Sequence, residues 1–87
     1  MENRGSVACS VAFEGGADCR ARTERIDINT LVIRADRRAR YGERVTVRLG
    51  DANLEATVRW TTDVGFGVQL GSLRARDVHM LNRLSAR

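Results

Sequence analysis

The stretch Arg44-Val45-Thr46-Val47-Arg48-Leu49-Gly50-Asp51-Ala52-Asn53-Leu54-Glu55-Ala56-Thr57-Val58-Arg59-Trp60-Thr61 decides the fold class. Val45, Val47 and Leu49 alternate with Arg44, Thr46 and Arg48, and Leu54, Ala56, Val58 and Trp60 alternate with Glu55, Thr57, Arg59 and Thr61. Successive side chains of a strand point to opposite faces, so each run carries one apolar and one polar face. The polar, glycine-bearing Gly50 to Asn53 between them reads as a turn. Two such runs form an antiparallel pair with one side toward a core.

The same pattern extends in both directions. Val7, Cys9, Val11 and Phe13 alternate with Ala8, Ser10 and Ala12, and Glu14 to Asp18 turns the chain. From Cys19 to Ile26, Arg20, Arg22 and Glu24 share one face and Cys19, Ala21 and Thr23 the other. Asp27 to Thr30 breaks the pattern, and Leu31 to Ala35 is a short apolar strand leading into the charged connection Asp36 to Gly42. Downstream, Thr62 to Gly65 turns the chain, Gly65-Phe66-Gly67 reads as a turn rather than a phosphate loop, and Phe66, Val68 and Leu70 mark a last strand. From Leu73 the period becomes helical, through Leu73, Asp77, Val78, Leu81 and Leu84, with Ser72 as the expected N-cap.

Six short strands followed by one amphipathic helix predict an all-β fold, a six-stranded antiparallel split β-barrel with one C-terminal α-helix. Closure removes sheet edges, and a helix can cover an open end. Val11, Phe13, Val45, Val47, Val58, Trp60, Phe66 and Val68 are expected to point inward, with Val78 and Leu81 packing the helix on the barrel.

Eighty-seven residues make a single domain, 1–87. A chain of that length buries roughly 60–65% of its unfolded surface, which excludes a two-lobed cleft enzyme. With 43% hydrophobic and 30% charged residues it is globular rather than disordered. Fifteen basic residues, all arginine, against eleven acidic ones leave a net charge of +4. No stretch is long and apolar enough to span a membrane, and Met1 to Gly5 lacks a secretory layout, so a cytoplasmic protein is expected. Cys9 and Cys19 are expected as free thiols, without a metal. His79 is the single histidine, placed beside the helix stripe, and no nucleophile, base and orienting group are spaced as a catalytic set. The chain is not expected to be an enzyme or to carry a cofactor.

The order of these pieces resembles the PilZ domain family, small bacterial receptors for cyclic di-GMP. The resemblance covers nearly the whole chain and rests on Ile26-Asp27-Ile28-Asn29-Thr30-Leu31-Val32, Tyr41-Gly42-Glu43-Arg44-Val45-Thr46-Val47, Leu54 to Trp60 and Gly65 to Leu70, followed by a helix. That family binds its ligand with RxxxR ahead of the first strand and (D/N)x(S/A)xxG after the second. Arginine forks pair with phosphate oxygens and guanine edges, and the acidic or amide residue accepts guanine hydrogens. By resemblance, Arg4, Asp27 and Asn29 are the ligand-site candidates. Asp27 fits its position, whereas Asn29 replaces serine or alanine and Val32 replaces the glycine. No residue stands four places before Arg4, and the pairs Arg34–Arg38, Arg40–Arg44 and Arg44–Arg48 follow Asp27 instead of preceding it.

The resemblance therefore implies a divergent member in which cyclic di-GMP binding is weak or absent and protein contacts carry the function, in a motility, pilus or polysaccharide system. The alternative is a working cyclic di-GMP receptor. A nucleic-acid-binding barrel ranks last, because stacking aromatics are scarce and nucleic acid is not expected as a partner. Arg37, Arg38, Arg40 and Tyr41 on the charged connection, with Arg44 and Arg48 on the next strand, are the candidate partner-binding residues.

Overall fold

A computed structural model describes residues 6–27 and 29–85. Arg4 lies outside the described residues. The elements are β1 (Ala8–Phe13), β2 (Asp18–Ile26), β3 (Thr30–Ala35), β4 (Arg44–Leu49), β5 (Ala52–Thr61), β6 (Gly65–Leu70) and α1 (Ala75–Ser85). All strand pairs are antiparallel and the sheet closes in the order β1-β2-β3-β6-β5-β4. The expected six-stranded antiparallel barrel with a C-terminal helix is the architecture observed.

Alternation builds the core. Val11, Phe13, Val45, Val47, Val58, Phe66 and Val68 are buried as expected, together with Leu31, Ile33, Leu49 and Leu54. Each fully buried side chain of this size contributes roughly 1.5–3 kcal/mol of transfer free energy. Thr23 is the buried polar residue of the core, and its Oγ1 accepts from the Val7 amide at 2.9 Å. Two-residue and three-residue turns hold the hairpins in register. Leu49 pairs directly with Ala52, so the turn is Gly50-Asp51 alone, with Gly50 at φ +60 as the first position of a type II′ turn requires.

Two bulges change which residues point inward. Between Thr23 and Arg25 the β2–β3 register shifts, so Thr23 and Ile26 both face the core although an odd number of positions separates them. Between Val58 and Trp60 the β5–β6 register shifts, so Val58 pairs with inward Val68 while Trp60 pairs with outward Gly67. Trp60 is 42% exposed, which corrects its expected inward position. Its indole lies against Gly67, where a Cβ would collide with the ring atoms Cε2 and Cζ2. Gly67 is thus required for close approach. Gly65-Phe66-Gly67 is the start of β6 and not a turn, since Gly65 pairs with Arg34 and Phe66 with Ile33.

The two ends of the barrel are closed differently. One end holds the β1–β2 and β5–β6 turns and the connection 36–43, where Ala39 is buried. At the other end α1 packs near β2 with Leu81 buried to 1% exposure, and Leu73, Met80 and Leu84 pack against the core. Val78 is only half-buried. The helix begins later than Ser72. Arg74 is the N-cap, its carbonyl accepting from the Val78 amide at 3.0 Å and its amide donating to Asp77 Oδ2 at 3.2 Å. Asp77 therefore supplies the reaching-back half of a capping box, and the expected Ser72 cap is replaced by it.

Candidate functional site

The β2–β3 hairpin, at the helix end, carries the two described ligand-site candidates. The Asp27 amide donates to the Thr30 carbonyl at 2.9 Å, and the Asn29 carbonyl accepts from the Leu70 amide at 2.8 Å. The backbone is thereby fixed, and both side chains are exposed. The arginines with RxxxR spacing are elsewhere. Arg38, Arg40 and Arg44 lie at the opposite, connection-bearing end. Arg48 shares a pairing row with Ser10 and Arg20. At 3.3 Å per residue, that row crosses β2 about 20 Å from Asp27.

The charged connection is anchored rather than free. The Gly42 amide donates to the Val58 carbonyl at 2.8 Å and the Val58 amide to the Glu43 carbonyl at 2.9 Å, extending the β4–β5 ladder. A turn from Arg40 to Glu43 is closed by the Glu43 amide on the Arg40 carbonyl, at 3.0 Å, and by Glu43 Oε1 accepting from the Arg40 amide, also at 3.0 Å. Tyr41 stands at its tip, 70% exposed. Arg38 and Arg40 are exposed beside it. Arg37 turns away from them, with its guanidinium carbon 4.1 Å from the Phe13 ring centroid. Phe13 in turn meets Phe66 edge to face at 6.0 Å. Arg37 is thus a cover on the end of the core.

Arg44 and Arg48 share the outer face of β4 yet open onto different depressions. Arg44 lines one of about 450 Å³ with Glu14, Thr46, Glu55 and Thr57. Arg48 lines a larger, shallow trough of about 1010 Å³ across the wall made by β4, β1, β2 and β3. Four arginines line this trough, Arg20, Arg22, Arg34 and Arg48, against two aspartates, Asp36 and Asp63. The six partner-binding candidates are therefore divided among the tip of the connection, the cover on Phe13 and two separate depressions.

Sequence reading placed Arg20 and Arg22 on one face but not in a site. What it lacked was the pairing that sets Arg22 opposite Arg34, and Ser10 between Arg20 and Arg48. The outward residues of β1 are Ala8, Ser10 and Ala12, so a low floor runs between the arginines. Arg48 Nη1 meets Asp18 Oδ2 at 3.5 Å and Arg34 Nη1 meets Glu24 Oε2 at 3.5 Å. Exposed pairs at this distance are weak. Arg22 donates from Nε to Ser6 Oγ and from Nη2 to the Ser6 carbonyl, both at 3.3 Å.

Both cysteines are free and half-buried, packed against the core on the inner side of β1 and β2. Burial pushes the Cys9 thiol up to about 11, with a smaller upward push from Cys19 and a partial offset by Arg22. Burial also raises the Cys19 thiol, while Arg37 pulls it down and Asp18 and Asp36 add small upward contributions. Neither is poised as a thiolate nucleophile near neutral pH. His79 is exposed on α1. Among the described residues, no three His, Cys, Asp or Glu side chains converge as a metal site requires, and no helix is long and apolar enough to cross a membrane. No protein-family model matches the chain, and no curated protein is significantly similar to it.

Proposed function

We propose that this chain is a divergent PilZ-like domain of bacterial cyclic di-GMP signalling. In this reading it acts in the cytoplasm as a non-enzymatic adaptor that contacts a protein of a motility, pilus or polysaccharide system, with weak or absent binding of cyclic di-GMP itself. The resemblance supplies the family, and the six-stranded barrel with its C-terminal helix is compatible with it. The observation that carries weak binding is the distance of Asp27 and Asn29 from arginines of RxxxR spacing. Asp27 and Asn29 stand at one end of the barrel, while Arg38, Arg40 and Arg44 stand at the other. Each bidentate charged contact a ligand fails to make costs roughly 1.5–3 kcal/mol.

Calorimetric titration of the full chain with cyclic di-GMP tests the reading. The expected result is no saturable heat at micromolar ligand. A sub-micromolar dissociation constant would establish the receptor alternative. Arg4→Ala and Asp27→Ala would then each weaken binding by about tenfold or more.

A further inference from the structure

The trough on the β4-β1-β2-β3 wall is a built arrangement of charge. Ser10 on β1 sits in register between Arg48 on β4 and Arg20 on β2. One step along the wall, Ala8 is in register with Arg22, which is opposite Arg34. Neighbouring strands are about 4.8 Å apart, so Arg48 and Arg20 are rooted about 10 Å from each other on either side of Ser10, a spacing two long arginine side chains can close around one carboxylate. Among the described residues Arg20 makes no hydrogen bond or ion pair, which leaves its fork free for an incoming group.

We propose that this trough docks an extended acidic segment of a partner protein. The inference rests on the reading of the chain as a protein-binding module, and it assigns the surface and the chemistry of the occupant. Arg20 and Arg22 repeat every second residue along β2, about 7 Å apart, the same repeat with which an extended peptide presents alternate side chains on one face. The small residues Ala8 and Ser10 let a backbone lie low between the arginines.

Charge and lining choose among occupants. No aromatic ring lines the trough, so a single-stranded nucleic acid would find no stacking platform. Asp36 and Asp63 interrupt the basic wall, which repels a continuous run of phosphates but accommodates separate carboxylates. A second copy of this chain is disfavoured by its own charge of +4 and by a closed barrel that offers no free strand edge.

The test is a nuclear magnetic resonance titration of the full chain, at low and at raised salt, with a synthetic peptide of alternating glutamate and serine. A length of about twelve residues spans about 40 Å when extended, more than the 31 Å longest extent of the molecule. Amide shifts are expected at residues 8–10, 20–22, 34 and 48, fading as salt rises. Two variants on different strands, the double Arg20→Glu/Arg22→Glu and the single Arg48→Glu, should each weaken binding by about tenfold. Their thermal midpoints report folding, so one unfolded variant leaves the other to decide. Arg38→Glu/Arg40→Glu should bind like the parent. The proposal is overturned if no shifts occur, if they cluster on 38–42 and vanish in Arg38→Glu/Arg40→Glu, or if oligothymidylate of equal charge binds the trough more tightly. High-affinity cyclic di-GMP binding would remove the adaptor reading while leaving this peptide map standing, so the two failures are distinguishable.

Discussion

The barrel is closed at one end by an amphipathic helix and at the other by a charged connection. At the helix end, Leu81 is fully buried and Leu73, Met80 and Leu84 extend the core outward, so closure there is hydrophobic. At the connection end, one alanine, Ala39, points in, and two backbone hydrogen bonds, from the Gly42 amide to the Val58 carbonyl and from the Val58 amide to the Glu43 carbonyl, hold the chain down. Arg37 supplies the rest of the cover by lying on Phe13. Ladder bonds leave side chains free. The connection can therefore present Arg38, Arg40 and Tyr41 to solvent, whereas the helix must spend its inner stripe on packing.

This comparison predicts unequal sensitivity at the two ends. Leu81→Ala should have the largest effect, lowering unfolding free energy by about 2–5 kcal/mol, because a fully buried side chain leaves a cavity that the barrel cannot collapse. Urea denaturation of the two proteins measures it. A loss below about 0.5 kcal/mol, the scale of a surface substitution, would show that the helix is not part of the core.

The thiols report the interior in a second way. The folded Cys9 thiol is held near 11 against an ordinary value of 9.0, so the fold favours the protonated form. Its stabilising contribution is complete below pH 9 and is lost as pH rises toward about 11, because the unfolded chain deprotonates first. In reducing buffer, the urea midpoint of the parent should fall more steeply between pH 9 and 11 than that of Cys9→Ala. Parallel curves would mean that Cys9 is solvated.

The smallest effect belongs to the connection end. Arg37→Ala should cost about 0.5–1 kcal/mol, the value of an exposed cation over an aromatic face. It should also slow Cys19 alkylation at fixed pH, since Arg37 is what pulls that thiol down. Thermal unfolding and timed alkylation with mass detection read both. Unchanged alkylation would separate Arg37 from Cys19.

Much of this molecule was legible in residue order. Alternation through Val45, Val47 and Val58 needs only the two-residue period of a strand, and the switch after Leu73 needs only the helical one, so the six strands, the helix and most of the core follow from local pattern. The site was less legible. Arg20 and Arg22 share a face by spacing alone, but their juxtaposition with Arg34 and Arg48 depends on strands that are neighbours only because the sheet closes. The division of Arg44 from Arg48 has the same origin.

What the sequence by itself determined is the set of elements and the apolar face of each, because side-chain direction along a strand or helix is a local property of the backbone. What only the tertiary structure decided is where that local rule is interrupted and what comes together across strands. The bulge before Trp60 sets it outward over Gly67 because register is negotiated between β5 and β6, not within β5. The arginine trough likewise exists only through pairing, since residues distant in the chain become neighbours by backbone hydrogen bonds whose partners no single strand specifies.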